Sequence, residues 1–146
     1  TYQYQRPYPH AKTNSYLEGV KQLSLPEHKE IAEIIYYNNS QVLEGAGSNL
    51  FAVINNVLIT PQSNILGGVT RNTLLKILRL DIPIQIKDFS IDELFKANSI
   101  FLTGSNSEIR GVVEIDNRLI GNGKVGKITK LAAQQYKEYI KNQINH

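Results

Sequence analysis

The stretch LEGAGSNLFAVINNVLITPQSNILGGVTR, residues 43–71, decides how this chain is read. It holds two short apolar runs, 50–54 and 57–60, separated by Asn55-Asn56. Asparagine tolerates the left-handed backbone of a two-residue hairpin turn, so the runs read as paired antiparallel strands. Residues 61–68 read as loop. Leu74, Leu75 and Leu78 then recur at helical spacing, which predicts a helix over 70–80 with Thr70 as its cap. Before the first strand stands Glu44, followed by Gly45, Ala46, Gly47 and Ser48. A solvated turn carboxylate is the ordinary reading of Glu44.

Outward from this centre the pattern stays mixed. Towards the N-terminus, residues 14–25 predict a short helix with Leu17, Val20 and Leu23 near one face, ended by Pro26. Residues 31–37 predict a strongly apolar strand, and Asn38-Asn39-Ser40 is turn chemistry. Towards the C-terminus, 82–87 alternates as a half-buried strand does. Residues 90–95 predict a short helix, since Ser90 followed by Glu93 has the spacing of a capping box. Strands are expected over 99–102, 109–115 and 118–120, the last two joined by Asp116-Asn117. A final helix starts near Lys127 or Thr129 and carries Ile128, Leu131, Ala132, Tyr136, Tyr139, Ile140 and Ile144 on one side. No repeat, low-complexity tract or linker interrupts the series. The expectation is one mixed α/β domain of short strands and about four helices.

Composition narrows the function classes. The chain has 146 residues, 41% hydrophobic and 20% charged, as an ordinary globular domain does. No run approaches the roughly 18 apolar residues of a membrane-spanning helix. There is no basic-then-apolar leader, and a cytoplasmic setting is the default expectation. Cysteine is absent, which excludes disulfides and thiolate metal sites. The net charge of +3 is mild and dispersed. Eight tyrosines are present without an interleaved basic face, so a nucleic-acid binder fits poorly. A small anionic ligand suits the charge equally well. With Thr1 first and no methionine, the chain reads as a trimmed piece of a longer one.

Two further loops carry chemical possibilities. Gly67-Gly68-Val69-Thr70-Arg71 precedes a helix, and amides at a helix start beside glycine make an anion site. Thr103-Gly104-Ser105-Asn106-Ser107-Glu108 follows an apolar strand and offers free amides and small hydroxyls, a second anion nest. Each alone is more often a plain turn. Two in one small domain suit a ligand with a phosphate and a carboxylate. The three histidines, His10, His28 and His146, have no metal-ligand spacing. No Gly-x-Ser-x-Gly elbow or P-loop occurs. A lysine nucleophile remains. Lys12 stands near the start of the first helix, where positive potential disfavours an ammonium and favours an amine able to attack an aldehyde. The competing reading is a solvated surface lysine.

The order of these motifs resembles the class IV pyridoxal-phosphate aminotransferases, the group of branched-chain and D-amino-acid aminotransferases and aminodeoxychorismate lyases. The matching residues are KTNSY at 12–16, LEGAGSNLF at 43–51, LITP at 58–61, GGVTR at 67–71, FLTGSNSEI at 101–109, VVEID at 112–116, IGNGKVG at 120–126, and Thr129. No motif is specific alone, but their order and spacing are. The resemblance covers the larger C-terminal domain of that family, residues 1–146 here, without the small N-terminal domain. It implies that domain's fold, short mixed strands in a pseudo-barrel packed with helices, and it implies the cofactor pyridoxal 5′-phosphate.

By position, the resemblance implies that Lys12 bonds the cofactor aldehyde and later shuttles a proton. It implies that Glu44 meets the pyridine nitrogen, that the amides of Val69 and Thr70 hold the phosphate, and that Ser105 adds a hydroxyl to it. The amides of Ser105 and Asn106 fall where a substrate carboxylate is received. Tyr16 matches a tyrosine near the cofactor's 3-hydroxyl, although the lysine–tyrosine gap is one residue shorter, as in the D-amino-acid and lyase branches. Ser15 stands where asparagine is usual, and Lys127 where many members have proline. The implied reaction is transfer of an amino group between an amino acid and a 2-oxo acid, in a homodimer. A lyase that eliminates pyruvate from aminodeoxychorismate would use the same residues. A reading of another class is an isolated domain that binds a phosphate ligand or a partner without reacting.

Overall fold

The computed structural model of the chain describes residues 1–13, 16–105 and 108–144. In chain order the elements are β1 (Tyr2–Gln3), α1 (Leu17–Leu23), a 3-10 turn (Pro26–His28), β2 (Ile35–Asn38), β3 (Gln41–Gly45), β4 (Asn49–Ile54) and β5 (Val57–Thr60). There follow α2 (Val69–Ile77), β6 (Ile84–Ile86), α3 (Ile91–Leu94), β7 (Ser99–Gly104), β8 (Glu108–Val112), β9 (Glu114–Ile115), β10 (Arg118–Leu119) and α4 (Lys127–Ile144).

Three tight turns form where the sequence places paired polar residues. Asn39-Ser40, Asn55-Asn56 and Asp116-Asn117 all have positive φ, between 47° and 62°. Mirror-image turns need that backbone at both central residues, and they match the twist of the strands they join. The first turn pairs β2 with β3, the second β4 with β5, and the third β9 with β10. Ser90 and Glu93 make the expected capping box, each side chain bonding the other residue's amide at the start of α3.

The main sheet has the order β6-β5-β4-β7-β8. Its middle strand β4 is buried at every position. On one face Phe51, Val53 and Phe101 pack with Leu74 within α2, Leu78 just after it and Ala132 of α4. The Phe51 and Phe101 rings stack 4.9 Å apart. On the other face Leu50, Ala52, Ile54, Ile100 and Leu102 meet Ile35 and Val42 from the smaller sheet β1-β2-β3, and Leu94 of α3. The chain is thus a mixed α/β fold with the larger sheet covered on both faces. Among the described residues no helix is long and apolar enough to cross a membrane.

Several boundaries differ from expectation for reasons of pairing. The strand expected over 31–37 begins only at Ile35, because its partner β3 ends at Gly45, opposite Ile35. Residues 41–45, not expected as a strand, form β3, so Glu44 lies on a strand rather than in a loop. Thr70 does not cap α2. Gly68 is the cap, without any side-chain bond to the free amides, and Thr70 lies inside the first turn, 3% exposed. The helix stops at Ile77, where Leu78 becomes extended while keeping its side chain in the core. The first helix begins at Leu17, and the expected residues 14 and 15 lie outside the described ones.

Candidate active site

A cavity of about 380 Å³ opens where the start of α2, the end of β3 and the end of β7 converge. Its wall includes Lys12, Tyr16, Glu44, Val69, Thr70 and Ser105. Six of the seven residues singled out above therefore meet in one place, although they span most of the chain. Asn106, the seventh, lies outside the described residues. Lys12 and Ser105 are exposed to the cavity, and Tyr16 is 44% exposed. α1 starts at Leu17, so Lys12 stands upstream of its first turn, beyond the reach of a helix-end potential. The amine is set by its position on the wall rather than by that helix.

Glu44 is 4% exposed and held from two sides. Arg6 donates to Oε1 from Nε at 2.8 Å and from Nη2 at 2.5 Å. The Leu66 amide donates to Oε2 at 2.9 Å, and Asn49 Nδ2 lies at 3.5 Å from that oxygen. Burial pushes the Glu44 carboxyl above its ordinary range, and the Leu66 amide and Arg6 oppose the rise. A carboxylate offers about four acceptor positions, and the long Asn49 contact leaves Oε2 able to take one more donor from the cavity. Sequence reading found Glu44 but missed Arg6, thirty-eight positions away on an irregular segment. No local pattern marks that arginine. Its role follows only from where residues 1–13 cross the end of β3.

The small residues after Glu44 have reasons of their own. A Cβ on Gly45 would meet Ser48 Oγ at 2.1 Å and Glu33 at 3.3 Å. Ala46 packs under α1, where a Cβ on Gly19 would come within 2.7 Å of its methyl. Of the three, only Gly47 faces open space, with nothing closer than a Glu33 oxygen at 4.0 Å.

The wall of the cavity formed by the start of α2 favours an anion. α2 begins with unbonded first-turn amides and no side-chain cap. Such amides, with the helix dipole, favour an anion. Beneath them Arg71 is 7% exposed and bonds Thr60 Oγ1 at 3.1 Å, the Pro61 carbonyl at 2.9 Å and Asn72 Oδ1 at 3.3 Å. All three partners are neutral, so its charge adds to the same potential. Burial holds its pKa below the usual arginine value. The cavity wall thus carries a carboxylate, an amine and an uncapped helix start suited to an anion.

The sequence matches the profile of the family described as amino-transferase class IV over residues 1–115. The chain belongs to the class IV aminotransferases. A protein of Aquifex aeolicus named "Probable branched-chain-amino-acid aminotransferase" is 39% identical over 115 residues, 76% of this chain and 37% of that protein. The D-alanine aminotransferase of Staphylococcus haemolyticus is 33% identical over 111 residues, 74% of this chain and 39% of that protein. A solved branched-chain amino acid aminotransferase of Thermobaculum terrenum, in its PLP form, superposes with a TM-score of 0.81 at 25% identity. That superposition covers 92% of this chain and 46% of the solved one. The chain spans less than half the length of each of these relatives.

Proposed function

We propose that residues 1–146 form the C-terminal, cofactor-binding domain of a pyridoxal-phosphate-dependent aminotransferase that moves an amino group between an amino acid and a 2-oxo acid. The observation that carries this reading is the meeting of Lys12, Glu44 and the uncapped start of α2 in one cavity of cofactor size. The residues fit the cofactor by chemistry. Unbonded amides suit a phosphate, and a buried carboxylate suits a protonated ring nitrogen. Bound pyridoxal phosphate supplies an aldehyde that condenses with amines and a ring that accepts the electron pair released at the substrate Cα.

The chain's own residues do the rest. Lys12 Nζ would hold the cofactor through its aldehyde and would serve as the general base for the substrate Cα proton. Glu44 holds a proton on the ring nitrogen, and Arg6 with the Leu66 amide fixes its orientation. The amides of Val69 and Thr70 and the Ser105 hydroxyl anchor the phosphate, while Tyr16 meets the ring hydroxyl. The amides of Ser105 and Asn106 receive the substrate carboxylate. The relatives' names favour transamination over pyruvate elimination and point to branched-chain or D-amino acids as substrates. The second domain and a second subunit complete the pocket.

Adding pyridoxal phosphate to the protein with its second domain, reducing with borohydride and mapping the label tests the assignment. The cofactor mass is expected on the peptide carrying Lys12, and Lys12→Ala is expected to abolish both label and visible absorbance. A label on another lysine, or none at saturating cofactor, overturns it. Assays with D- and L-amino acids then identify the substrate.

A further inference from the structure

Among the described residues two charged side chains are buried, Glu44 and Arg71. Glu44 has a countercharge, because Arg6 donates to it. Arg71 has none: among the described residues no carboxylate lies within ion-pair distance of its guanidinium. Its acceptors are Thr60 Oγ1, the Pro61 carbonyl and Asn72 Oδ1, all neutral. A neutral side chain with amide donors would serve such acceptors and would avoid the cost of taking a charge out of water. Arginine keeps its charge even when buried, so the fold bears that cost throughout. An isolated buried charge calls for a partner.

The place of the charge follows from the helix. Arg71 is the third residue of α2, on the same first turn as the unbonded amides. One side chain ties its guanidinium to the turn before the helix. Asn72 Oδ1 accepts from Arg71 Nη1 at 3.3 Å, and Asn72 Nδ2 donates to the Gly67 carbonyl at 3.2 Å. Gly67, Gly68, Val69 and Thr70 line the cavity, and Arg71 does not. The guanidinium therefore stands behind the turn. Its influence on a ligand is a field through protein rather than a bond, and charges act more strongly through protein than through water.

Resting on the cofactor reading above, we propose that Arg71 is a positioning residue whose charge is balanced by the cofactor phosphate across the first turn of α2, so that the site prefers a doubly charged anion to a singly charged one. The amides of the turn supply the bonds, and Arg71 supplies a fixed charge behind them.

Pyridoxal 5′-sulfate tests this beside pyridoxal 5′-phosphate. The two have nearly the same shape, but well above pH of about 6 the phosphate carries two charges and the sulfate one. Both are titrated at that higher pH and one ionic strength into the protein with its second domain and into its Arg71→Gln and Asn72→Asp variants. The parent is expected to prefer the phosphate. In Arg71→Gln, which keeps amide donors for the neutral acceptors, that preference should fall roughly fivefold to thirtyfold, the size of one unit charge acting through protein. Asn72 is exposed, and Asn72→Asp sets a carboxylate against Arg71 Nη1. It should lower the preference in the same direction, and it reads the charge even where Arg71→Gln does not fold. An arginine with a purely structural role would weaken both ligands by the same factor and leave the preference intact. An intact preference in either variant, or a parent without one, overturns the proposal. If the parent binds neither ligand, the cofactor reading itself falls, and this inference with it.

Discussion

The Arg6–Glu44 pair holds opposed effects in balance. Burial raises the Glu44 pKa, and the nearby guanidinium restrains the rise. Removing Arg6 releases that restraint. In Arg6→Leu the carboxyl should therefore stay protonated to a higher pH. Turnover that needs the carboxylate ionised falls as pH drops through its pKa, so the acid limb of the kcat profile should move to higher pH. A profile with an unmoved acid limb would show that Arg6 does not tune Glu44. The sign for stability is the reverse. A carboxyl with a raised folded pKa stabilises the fold below its unfolded pKa, and that contribution is lost as pH rises through the folded value. Arg6→Leu should thus be most destabilised near neutrality, by about 3 kcal/mol, the cost of leaving a buried charge without its partner. Urea unfolding at acid and neutral pH reads this directly.

At the scale of elements, the turn before α2 joins two parts of the site. Its Leu66 amide holds Glu44, its Leu66 carbonyl is held by Asn49, and its Gly68 opens the helix. Gly68 has an ordinary negative φ of −61°, so alanine there brings no backbone strain. The obstacle is steric: the added methyl meets Asn49 Oδ1 at 2.1 Å. Asn49 must then leave the Leu66 carbonyl, and the turn shifts. Gly68→Ala is expected to cost about 1–3 kcal/mol through the lost buried hydrogen bond. It should also weaken pyridoxal phosphate more than Gly67→Ala, whose added methyl meets nothing closer than Asn72 Nδ2 at 3.6 Å. Equal affinities for the two variants would count against a phosphate seat at Gly68.

Across the whole molecule, β4 and β7 form the spine that fixes the cavity floor. Phe101 is fully buried and stacked on Phe51, two register pairs along from Thr103 and Asn49. Phe101→Ala is expected to lose about 3–5 kcal/mol, as deletion of a core aromatic does. Leu119→Ala, at 65% exposure, should stay within about 0.5 kcal/mol of the parent. Matching urea midpoints for these two variants would contradict the two-faced sheet described here.

Much of this was legible in the chain itself. Asn39-Ser40, Asn55-Asn56 and Asp116-Asn117 marked three tight turns because the left-handed backbone is a property of single residues. Ser90 and Glu93 marked α3 because a capping box closes within four residues. The glycines and threonines of the family motifs, with Lys12 and Glu44, pointed to the chemistry. Other features depended on which segments became neighbours. Residues 41–45 are a strand because β2 and its turn supply a partner. α2 is capped by Gly68 because Thr70 is drawn into the interior. Arg6 reaches Glu44 only through the path of the first thirteen residues. Local backbone chemistry is written in adjacent residues. The desolvation of a carboxylate arises from surfaces that meet only when the sheets and helices pack.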